Sequence, residues 1–435
     1  MLTFTDNISQ RIQRQPSKIV ITIVGGGNCS HIMAGLFGSN PNYEVRLLTR
    51  RPKEWNSQIT VEFKLNKPKV IGKIAKISSD PLKVIPGSQW IIISSPVSAH
   101  LDILRNIAPF VSPGSYLGTI FAQGGFQYKV KQAFNEVRKN VSDIIVFGCQ
   151  YIPWACRTKT YGKCAVLLGH KQYLFVAKLP TKCPKASKFY VEMKQLFSIP
   201  VRPISNFLSI TLTPSNQIIH PARMFGLFGK DFKDDKDNDV LYKREPYFYG
   251  ELDDRSTDLM QRQSNELQAL KNESISRHPD LDLSSVMDLK ERIVEMYAAE
   301  VGDTSTLRST IRTNVGWTQL KCPMVPIYSS DKLDSSSPSC PIEPRDKSKG
   351  VILKGYKPDF STRYMWDDIP YGLVVLRSVA SLLDVEVPCI DEVLYWGQSV
   401  MGKEYLVDGE LIGKDIHETG AVSNFGILSP EELFE

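Results

Sequence analysis

The sequence lacks the long apolar runs that would place it in a membrane. No hydrophobic stretch reaches the roughly 18 residues that a membrane-spanning helix requires. Residues 1–17 hold no apolar core of the kind found in secretory signals. We therefore expect no membrane partner, and we interpret residues 1–17 as a flexible tail of a cytoplasmic protein, with a mitochondrial presequence as the alternative.

Paired cysteines and blocks of one charge are missing too. The eight cysteines are scattered, and no two have the CxxC spacing of a zinc site or a redox motif, so we expect reduced thiols and no metal site. The net charge of +6 is spread along the chain. A nucleic-acid-binding protein concentrates its positive charge in a patch, so we expect no nucleic acid as a partner. A mild positive balance instead suits an enzyme with carboxylate and phosphate ligands.

The 435 residues suggest two domains. In residues 18–205, apolar runs such as KIVITIV and WIIISSP alternate with helical patterns such as AHLDILRNIAPFV. This alternation predicts an α/β domain with a Rossmann-like, doubly wound parallel sheet. In residues 206–435 the patterns are longer and mostly helical, which predicts an all-α second domain. Its segment at about 326–350 is rich in Ser, Pro, Asp and Lys, and we interpret it as a flexible insertion.

A glycine turn follows the first predicted strand. The stretch IVGGGNCSHIMAG places Gly25, Gly27 and Ser30 at the spacing of GxGxxG. Gly25 permits a tight turn, Gly27 lets the backbone approach a pyrophosphate, and a small residue at 30 lets the helix pack on the strand. Because a helix N-terminus attracts phosphate, we assign these residues and Asn28 to a dinucleotide site; a tight turn without a ligand is the alternative.

The end of the second predicted strand bears on the type of cofactor. An NAD-binding protein usually has an acid there for the ribose hydroxyl, but this chain has Arg50 and Arg51. Two guanidinium groups can hold a 2′-phosphate, which favours NADP over NAD, and a solvated basic loop is the alternative. Pro96, at the end of the WIIISSP strand, is predicted to pack against the cofactor or simply to end the strand.

His220 lies among apolar residues in IIHPARMFG. By itself, such a histidine fits a buried core residue. The downstream segment KPDFSTRYMWDDIPYG supplies Arg363, which can bind a carboxylate. It also supplies Asp368, which can orient His220 and stabilise its cation or simply favour the start of the next helix. We assign His220 and Asp368 to catalysis and Arg363 to substrate binding, and we expect Pro221 to begin a helix that fixes the imidazole.

Two further segments, FAQGGF and CQYIPWACR, each follow a predicted strand and therefore face the cleft where such folds bind ligands. We assign Gln123 and Tyr151 from these segments to substrate binding. Cys156 is interpreted as structural, because a free cysteine commonly behaves as a small buried hydrophobic residue.

Six stretches together resemble the opine dehydrogenases, of the octopine dehydrogenase type, over about residues 18–434: IVGGGNCSHIMAG, FAQGGF, YIPWACRTKTYG, IIHPARMFG, RYMWDDIPYG and GKEYLVDGELIGKDI. The resemblance implies reductive condensation of an amino acid with a 2-oxo acid, usually pyruvate, with reduced nicotinamide, in a cleft between a Rossmann-like domain and a helical domain. It implies that His220 is the catalytic histidine, Asp368 its carboxylate partner and Arg363 a substrate-binding arginine, and that Gln123 lies in the segment that holds the oxo acid.

The sequence departs from this family in two places. Arg50 and Arg51 are unexpected in an NADH-preferring member, so the cofactor is predicted only as NADP or NAD. The helical pattern ERIVEMYAAEV lacks a tryptophan associated with arginine binding in octopine enzymes, so the amino acid is not predicted.

Two other functions are considered. A 2-oxo-acid or ketopantoate-type NADP reductase needs no amine and usually uses a lysine as its acid, for which the chain has no comparable motif. A non-catalytic dinucleotide-sensing protein has no use for His220, Arg363 and Asp368 together. We expect a monomer, with a homodimer as the alternative.

Overall fold

A computed structural model describes residues 18–64, 68–137, 139–181, 186–234, 239–328, 345–346 and 351–434. The predicted tail 1–17 lies outside the described residues, as do residues 329–344 and 347–350 of the predicted insertion. Among the described residues, no helix combines the length and the apolar character needed to cross a membrane.

The first half alternates strands and helices. Its elements are β1 (Ile19–Val24), α1 (Asn28–Gly38), β2 (Tyr43–Leu48), β3 (Gln58–Phe63), β4 (Val70–Ser78), α2 (Pro81–Val84), β5 (Trp90–Ile93), α3 (His100–Ile107), β6 (Tyr116–Thr119), α4 (Phe126–Glu136), β7 (Ile145–Cys149), β8 (Trp154–Thr160), β9 (Cys164–His170), β10 (Leu174–Leu179), α5 (Ala186–Phe197) and β11 (Val201–Pro203).

The second half is mostly helical. Its elements are α6 (Leu208–Thr211), α7 (Asn216–Phe228), α8 (Asp254–Arg277), α9 (Leu289–Tyr297), α10 (Leu307–Arg312), β12 (Met324–Tyr328), β13 (Arg345–Asp346), β14 (Val351–Pro358), α11 (Arg363–Trp366), a π-helical turn (Ile369–Leu373), α12 (Val374–Leu383), α13 (Pro388–Val400) and α14 (Pro430–Phe434).

Within the described residues, strands β1 to β11 form one sheet in the order β11-β10-β7-β6-β5-β1-β2-β4-β3-β9-β8. The six adjacent strands β7-β6-β5-β1-β2-β4 are parallel to one another. This is the doubly wound order in which the chain starts at the centre and builds outward in both directions. The direction of winding reverses between β1 and β5, which is where such sheets bind ligands. The predicted Rossmann-like fold is therefore confirmed.

Several strands of this sheet were not predicted from the sequence. β4 pairs with β2 and β3, and its residues VIGKIAKIS are only partly buried. A strand with lysines on its outer face presents no continuous apolar run, so the pattern that predicted the central strands missed it. β8 and β9 form an antiparallel pair that extends the same edge, and the loops of this pair reach the glycine turn.

The core is divided by the sheet and by the junction of the two halves. Ile21 and Ile23 of β1 belong to an apolar cluster on one face, and Val24 belongs to a cluster on the other. This alternation follows from the period of two of a strand. A third cluster fills the second half and includes Tyr128 of α4, whose hydroxyl donates to the carbonyl of Leu433 at 2.9 Å. The halves therefore pack against each other through apolar as well as polar contacts.

A small antiparallel sheet, which was not predicted, lies within the helical half. β14 pairs with β12 from Met324↔Pro358 onward, and with β13. β12 is mostly exposed along its length, which explains why it has no apolar sequence signature. Residues 326–328 of the predicted insertion belong to this strand, so β12 and β14 bracket the segment between them.

Gly72 provides a test of the packing of α1 on the sheet. A Cβ added to Gly72 of β4 would lie 2.2 Å from the carbonyl oxygen of Gly35 and 2.4 Å from that of Ala34. We expect Gly72→Ala to lower the free energy of unfolding by about 1–3 kcal/mol, because backbone must move to admit the methyl group. The thermal unfolding midpoint measures this. The control is Gly169→Ala in β9, where a Cβ meets no heavy atom within 4 Å; equal midpoints for the two variants would contradict the packing described.

Candidate functional site

The turn between β1 and α1 has the backbone shape and the free space that a pyrophosphate needs. Gly25 has a φ of 131°, and a Cβ there would lie 2.5 Å from the carbonyl oxygen of Ser94, so a glycine is required. A Cβ at Gly27 would meet no heavy atom within 4 Å, so the approach to the helix N-terminus is open. Ser30 is fully buried where α1 packs on the sheet. These residues fit a dinucleotide bound at the amino end of α1.

Two side chains fix this turn to the β8–β9 hairpin. Asn28 Oδ1 accepts hydrogen bonds from the backbone N–H and the hydroxyl of Thr158, both at 2.9 Å. His31 Nε2 accepts from the N–H of Gly162 at 2.8 Å, so its Nδ1–H donates to the carbonyl of Gly27, also at 2.8 Å. Burial lowers the pKa of His31, which favours this neutral form. Because Oδ1 of Asn28 is engaged, its predicted contact with a cofactor falls to its side-chain NH2 group or its backbone N–H.

The arginines after β2 are exposed, as their predicted role requires. Arg51 lies over the ring of Tyr161, with its Cζ 3.9 Å from the ring centroid, and pairs with Glu54 at 3.2 Å. Arg50 forms no ion pair with any acid in the described part of the chain, so its charge is available to a phosphate. Pro96 is exposed just after β5, at the edge where the sheet changes direction.

His220 and Asp368, predicted from distant segments, are in contact. His220 Nδ1 lies 2.7 Å from Asp368 Oδ2, and both residues are buried. Asp368 precedes the π-helical turn but makes no side-chain capping hydrogen bond there. Its carboxylate therefore contacts the histidine, and Asp368 also stands at the start of this turn, as the alternative interpretation expected. Because an ionised carboxylate only accepts hydrogen bonds, the Nδ1 of His220 carries the proton and Nε2 is left as the acceptor.

Helix α7 begins earlier than predicted. It starts at Asn216, and Pro221 lies inside it, so the prediction that Pro221 begins the helix is wrong. The stretch TPSN, directly before the apolar residues, starts the helix instead, because serine and asparagine favour helix starts. Pro221 has no N–H for the usual helical bond to the carbonyl of Gln217. His220 is therefore presented from the second turn of a helix, next to this missing bond.

Aromatic side chains hold the imidazole in place, and the sequence analysis missed them. Tyr249 Oη lies 3.1 Å from His220 Nε2, and burial raises the pKa of Tyr249 well above its usual value. The phenol therefore stays protonated and donates to Nε2. Tyr364 stacks on the imidazole with ring centroids 3.8 Å apart, and Phe248 meets it edge-on at 5.5 Å. The stretch YFYG around Tyr249 has no motif that signals this role.

Arg363 is exposed on the first turn of α11. It acts electrostatically on Tyr249 and on Cys29 of α1, which places it between the histidine and the glycine turn. It forms no ion pair with the acids that the structure describes. A free guanidinium between the catalytic pair and the cofactor turn is a suitable partner for the carboxylate of a substrate.

Asp367 connects the same segment to the first half of the chain. Its Oδ1 accepts a hydrogen bond from the N–H of Ser98, in the loop after β5, at 2.8 Å. Lys129 of α4 donates to the carbonyl of Val97 in the same loop at 3.3 Å. Burial lowers the pKa of Lys129 to about 7, although Asp367 partly offsets this shift. The two consecutive aspartates thus bind opposite sides of the junction, Asp367 the sheet and Asp368 the helical half.

Gln123 lies at the same junction but is not free. Its Nε2 donates to the carbonyl of Thr213 at 3.2 Å, and Gln217 donates to the same oxygen at 2.7 Å. Gln150 donates to the hydroxyl of Thr213 at 2.5 Å. The Oε1 atoms of Gln150 and Gln217 are buried without a partner among the described residues. This polar cluster, centred on Thr213, leaves acceptor groups at the place where a substrate is expected.

Tyr151 and Cys156 lie on the β7–β8 side of the cleft. Tyr151 is buried, which raises the pKa of its hydroxyl to about 12, and its ring faces the guanidinium of Arg292. Cys156 Sγ lies 3.6 Å from Cys29 Sγ, and Cys156 is buried, in accord with the structural role predicted for it. Among the described residues, no cluster of His, Cys, Asp or Glu is suited to hold a metal ion.

Comparison with known proteins agrees with this geometry. The family model described as NAD/NADP octopine/nopaline dehydrogenase, alpha-helical domain, matches residues 203–401. Tauropine dehydrogenase from Arabella iricolor is 30% identical over 428 residues, which cover 95% of this chain and 100% of the relative. The chain belongs to the opine dehydrogenase family.

Membership of this family extends over nearly the whole chain. Octopine dehydrogenase from Pecten maximus is 27% identical over 94% of this chain and 96% of its own length. A solved structure of octopine dehydrogenase in complex with NADH and agmatine is 26% identical, with a TM-score of 0.79 over 96% of this chain and 98% of the other. This opine dehydrogenase family member is thus an NAD(P)-dependent oxidoreductase, and the resemblance inferred from the sequence is confirmed.

Gly27 tests the dinucleotide site of this family member. Because a methyl group at Gly27 meets nothing in the protein, we expect Gly27→Ala to leave the thermal unfolding midpoint unchanged. The methyl group projects into the space that a phosphate would use, so the Kd for reduced dinucleotide should rise by about tenfold or more, equivalent to ~1.4 kcal/mol. Fluorescence titration measures the Kd, with Gly169→Ala as the matched control. An unchanged Kd for Gly27→Ala would place the pyrophosphate elsewhere.

Proposed function

We propose that this chain catalyses the NAD(P)H-dependent reductive condensation of an amino acid with a 2-oxo acid, with pyruvate as the expected oxo acid. The product is an N-(1-carboxyalkyl) amino acid. The observation that carries the proposal is the buried His220–Asp368 pair beside the free Arg363, in a cleft that also contains the glycine turn. The relatives named above support the same reaction class.

The histidine supplies the proton chemistry that this condensation needs. The amine must lose a proton before it attacks the carbonyl, and the resulting carbinolamine must gain one to release water. His220 Nε2 can accept and return that proton, because Nδ1–H is held by Asp368 at 2.7 Å and the carboxylate stabilises the imidazolium. Arg363 holds the carboxylate of the oxo acid. Reduced nicotinamide, when bound at the glycine turn, supplies the hydride that reduces the imine carbon.

Tyr249 defines the position in which the proton is exchanged. Its hydroxyl occupies the lone pair of His220 Nε2 at 3.1 Å, which is the atom a substrate must reach. The phenol therefore either yields its place to the substrate or passes the proton between substrate and imidazole. In both cases it keeps Nε2 paired while the cleft is empty, which avoids an unsatisfied buried acceptor.

The choice of cofactor is a separate part of the proposal. Arg50 and Arg51 favour NADP by their charge, but Arg51 is partly engaged by Glu54 and Tyr161. The related octopine dehydrogenase structures contain NADH. We therefore propose that both reduced dinucleotides bind and that Arg50 sets the preference.

A monomeric state and a cytoplasmic location stay predictions from the sequence.

A coupled assay tests the reaction. NADH or NADPH oxidation is followed with pyruvate held constant and a panel of amino acids and amines varied. Turnover that needs both pyruvate and an amine supports the proposal. Turnover with pyruvate alone would favour the reductase alternative, and tight dinucleotide binding without turnover would favour the sensor alternative.

The catalytic pair is tested by substitution. We expect His220→Asn to lower kcat/KM by roughly 10²–10⁴-fold, because the general acid/base is lost. Asp368→Asn should lower kcat by about 10²-fold or more, because a neutral amide stabilises the imidazolium poorly. The Kd for dinucleotide should be unchanged in both. Steady-state kinetics with Asp280→Asn as the control, an exposed acid of the same half, measure the effect. Wild-type kcat in either active-site variant would refute the assignment.

Tyr249 is tested without disturbing its ring packing. Tyr249→Phe removes one hydrogen bond to His220 and keeps the contacts with Trp317 and Phe248. A hydrogen bond of this kind contributes about 0.5–1.5 kcal/mol, so kcat should fall by about 3- to 10-fold while the unfolding midpoint changes little. Tyr395→Phe, at an exposed position on α13, is the control. A kcat equal to the control would show that the phenol has no part in proton exchange.

A further inference from the structure

A buried arginine lies near the candidate site, and the reaction described above does not use it. Arg292 of α9 is 5% exposed, and its Nε has no hydrogen-bond partner among the described residues. None of the acids that the structure describes forms an ion pair with it. Burial of an unpaired charge is costly, so an arginine in this position points to an anionic ligand.

The surroundings of Arg292 form a built site. Its Cζ lies 5.4 Å from the ring centroid of Tyr151, and Lys171 Nζ lies 3.4 Å from that of Tyr297. Burial and the nearby charge of Arg292 lower the pKa of Lys171 to about 7, against a smaller opposing effect of Glu300. Two basic side chains thus share one region lined by tyrosines, and Glu295, which follows Arg292 on the same helix, is paired with Arg202 instead.

Packed aromatic side chains connect this region to His220. A row of aromatic rings joins them: Tyr249, beside the histidine, packs on Trp317 with centroids 5.2 Å apart, and Trp317 packs on Tyr297 with centroids 4.8 Å apart. On the opposite side, Tyr151 follows Gln150 of the polar cluster centred on Thr213. Arg292 therefore lies on the Tyr297 side of this aromatic row, whereas Arg363 lies on the His220 side, with its Cζ 5.8 Å from the ring centroid of Tyr364.

We propose that Arg292, assisted by Lys171, binds the acid group of the amine substrate, and that this substrate is an amino acid or amino sulfonate without a positively charged side chain. The inference rests on the proposed function. An N-(1-carboxyalkyl) product carries two acid groups, and two guanidinium groups that form no ion pair with the described acids are assigned to them: Arg363 to the oxo acid and Arg292 to the amine. A guanidinium or ammonium side chain on the substrate would be repelled by Arg292 and Lys171.

The test compares amines of different charge on the full-length enzyme. Taurine, β-alanine, L-alanine, L-arginine and agmatine are assayed with pyruvate and with each reduced dinucleotide. We expect turnover with one or more of the first three, and at least tenfold lower kcat/KM with L-arginine and with agmatine. A preference for either cationic amine would overturn the inference.

Substitutions then identify the residue responsible. Arg292→Met should raise the KM of the preferred amine by about 10- to 100-fold, the effect of losing charge-assisted hydrogen bonds, with the KM of pyruvate and the Kd of dinucleotide unchanged. Lys171→Met should raise the amine KM less. Arg202→Met is the matched control, because this exposed arginine pairs with Glu295 on the same helix. An unchanged amine KM in Arg292→Met would overturn the inference.

The outcomes separate this inference from the proposed function. If the wild-type enzyme oxidises reduced dinucleotide with no amine in the panel, the proposed function fails. If it turns over an amine but Arg292→Met behaves like Arg202→Met, only the anion subsite fails. If Arg292→Met has no thermal unfolding transition, Arg292→Lys and Lys171→Met replace it in the test. Both variants must then raise the KM of the amine and leave the KM of pyruvate unchanged. Wild-type values of the amine KM in both variants would overturn the inference.

Discussion

The hydrogen bond between His220 and Asp368 joins segments 148 residues apart in sequence, and the rest of the site depends on it. Asp367, the neighbour of Asp368 in sequence, accepts a hydrogen bond from the backbone N–H of Ser98 after β5. Two adjacent carboxylates therefore fix the helical half, the sheet and the histidine relative to each other. Because a buried carboxylate that loses its partner is strongly destabilising, this arrangement is specific: few alternative packings of the two halves satisfy both groups.

The junction between the halves contains a polar cluster beside its apolar contacts. Thr213 accepts from Gln123 and Gln217 through its carbonyl and from Gln150 through its hydroxyl. Such a network is favourable only when its members are oriented together. The cluster thus gives the cleft a defined shape, with amide oxygens left over as acceptors.

The sequence predicted the parts of the site that depend on local spacing. The glycine turn and the parallel sheet follow from a short motif and from the alternation of strands and helices, whereas the pairing of His220 with Asp368 was predicted from two distant segments and from the family resemblance. Tyr249 and Arg292 were missed, since a single tyrosine or arginine acquires its role only from what surrounds it in the fold. The start of α7 and strand β4 were missed for a different reason: in each case a stronger local pattern, a proline in one and exposed lysines in the other, obscured the true element.

The small sheet in the helical half allows the length of the chain before Arg363 to change without a change in the geometry of the candidate site. The ladder that begins at Met324↔Pro358 fixes both ends of the intervening segment five residues before Arg363. The entropy of closing a loop grows only slowly with its length. The chain between β12 and β13 can therefore lengthen, shorten or carry a fused tag in the course of evolution or engineering, while the arginine and the aspartates beyond β14 keep their positions.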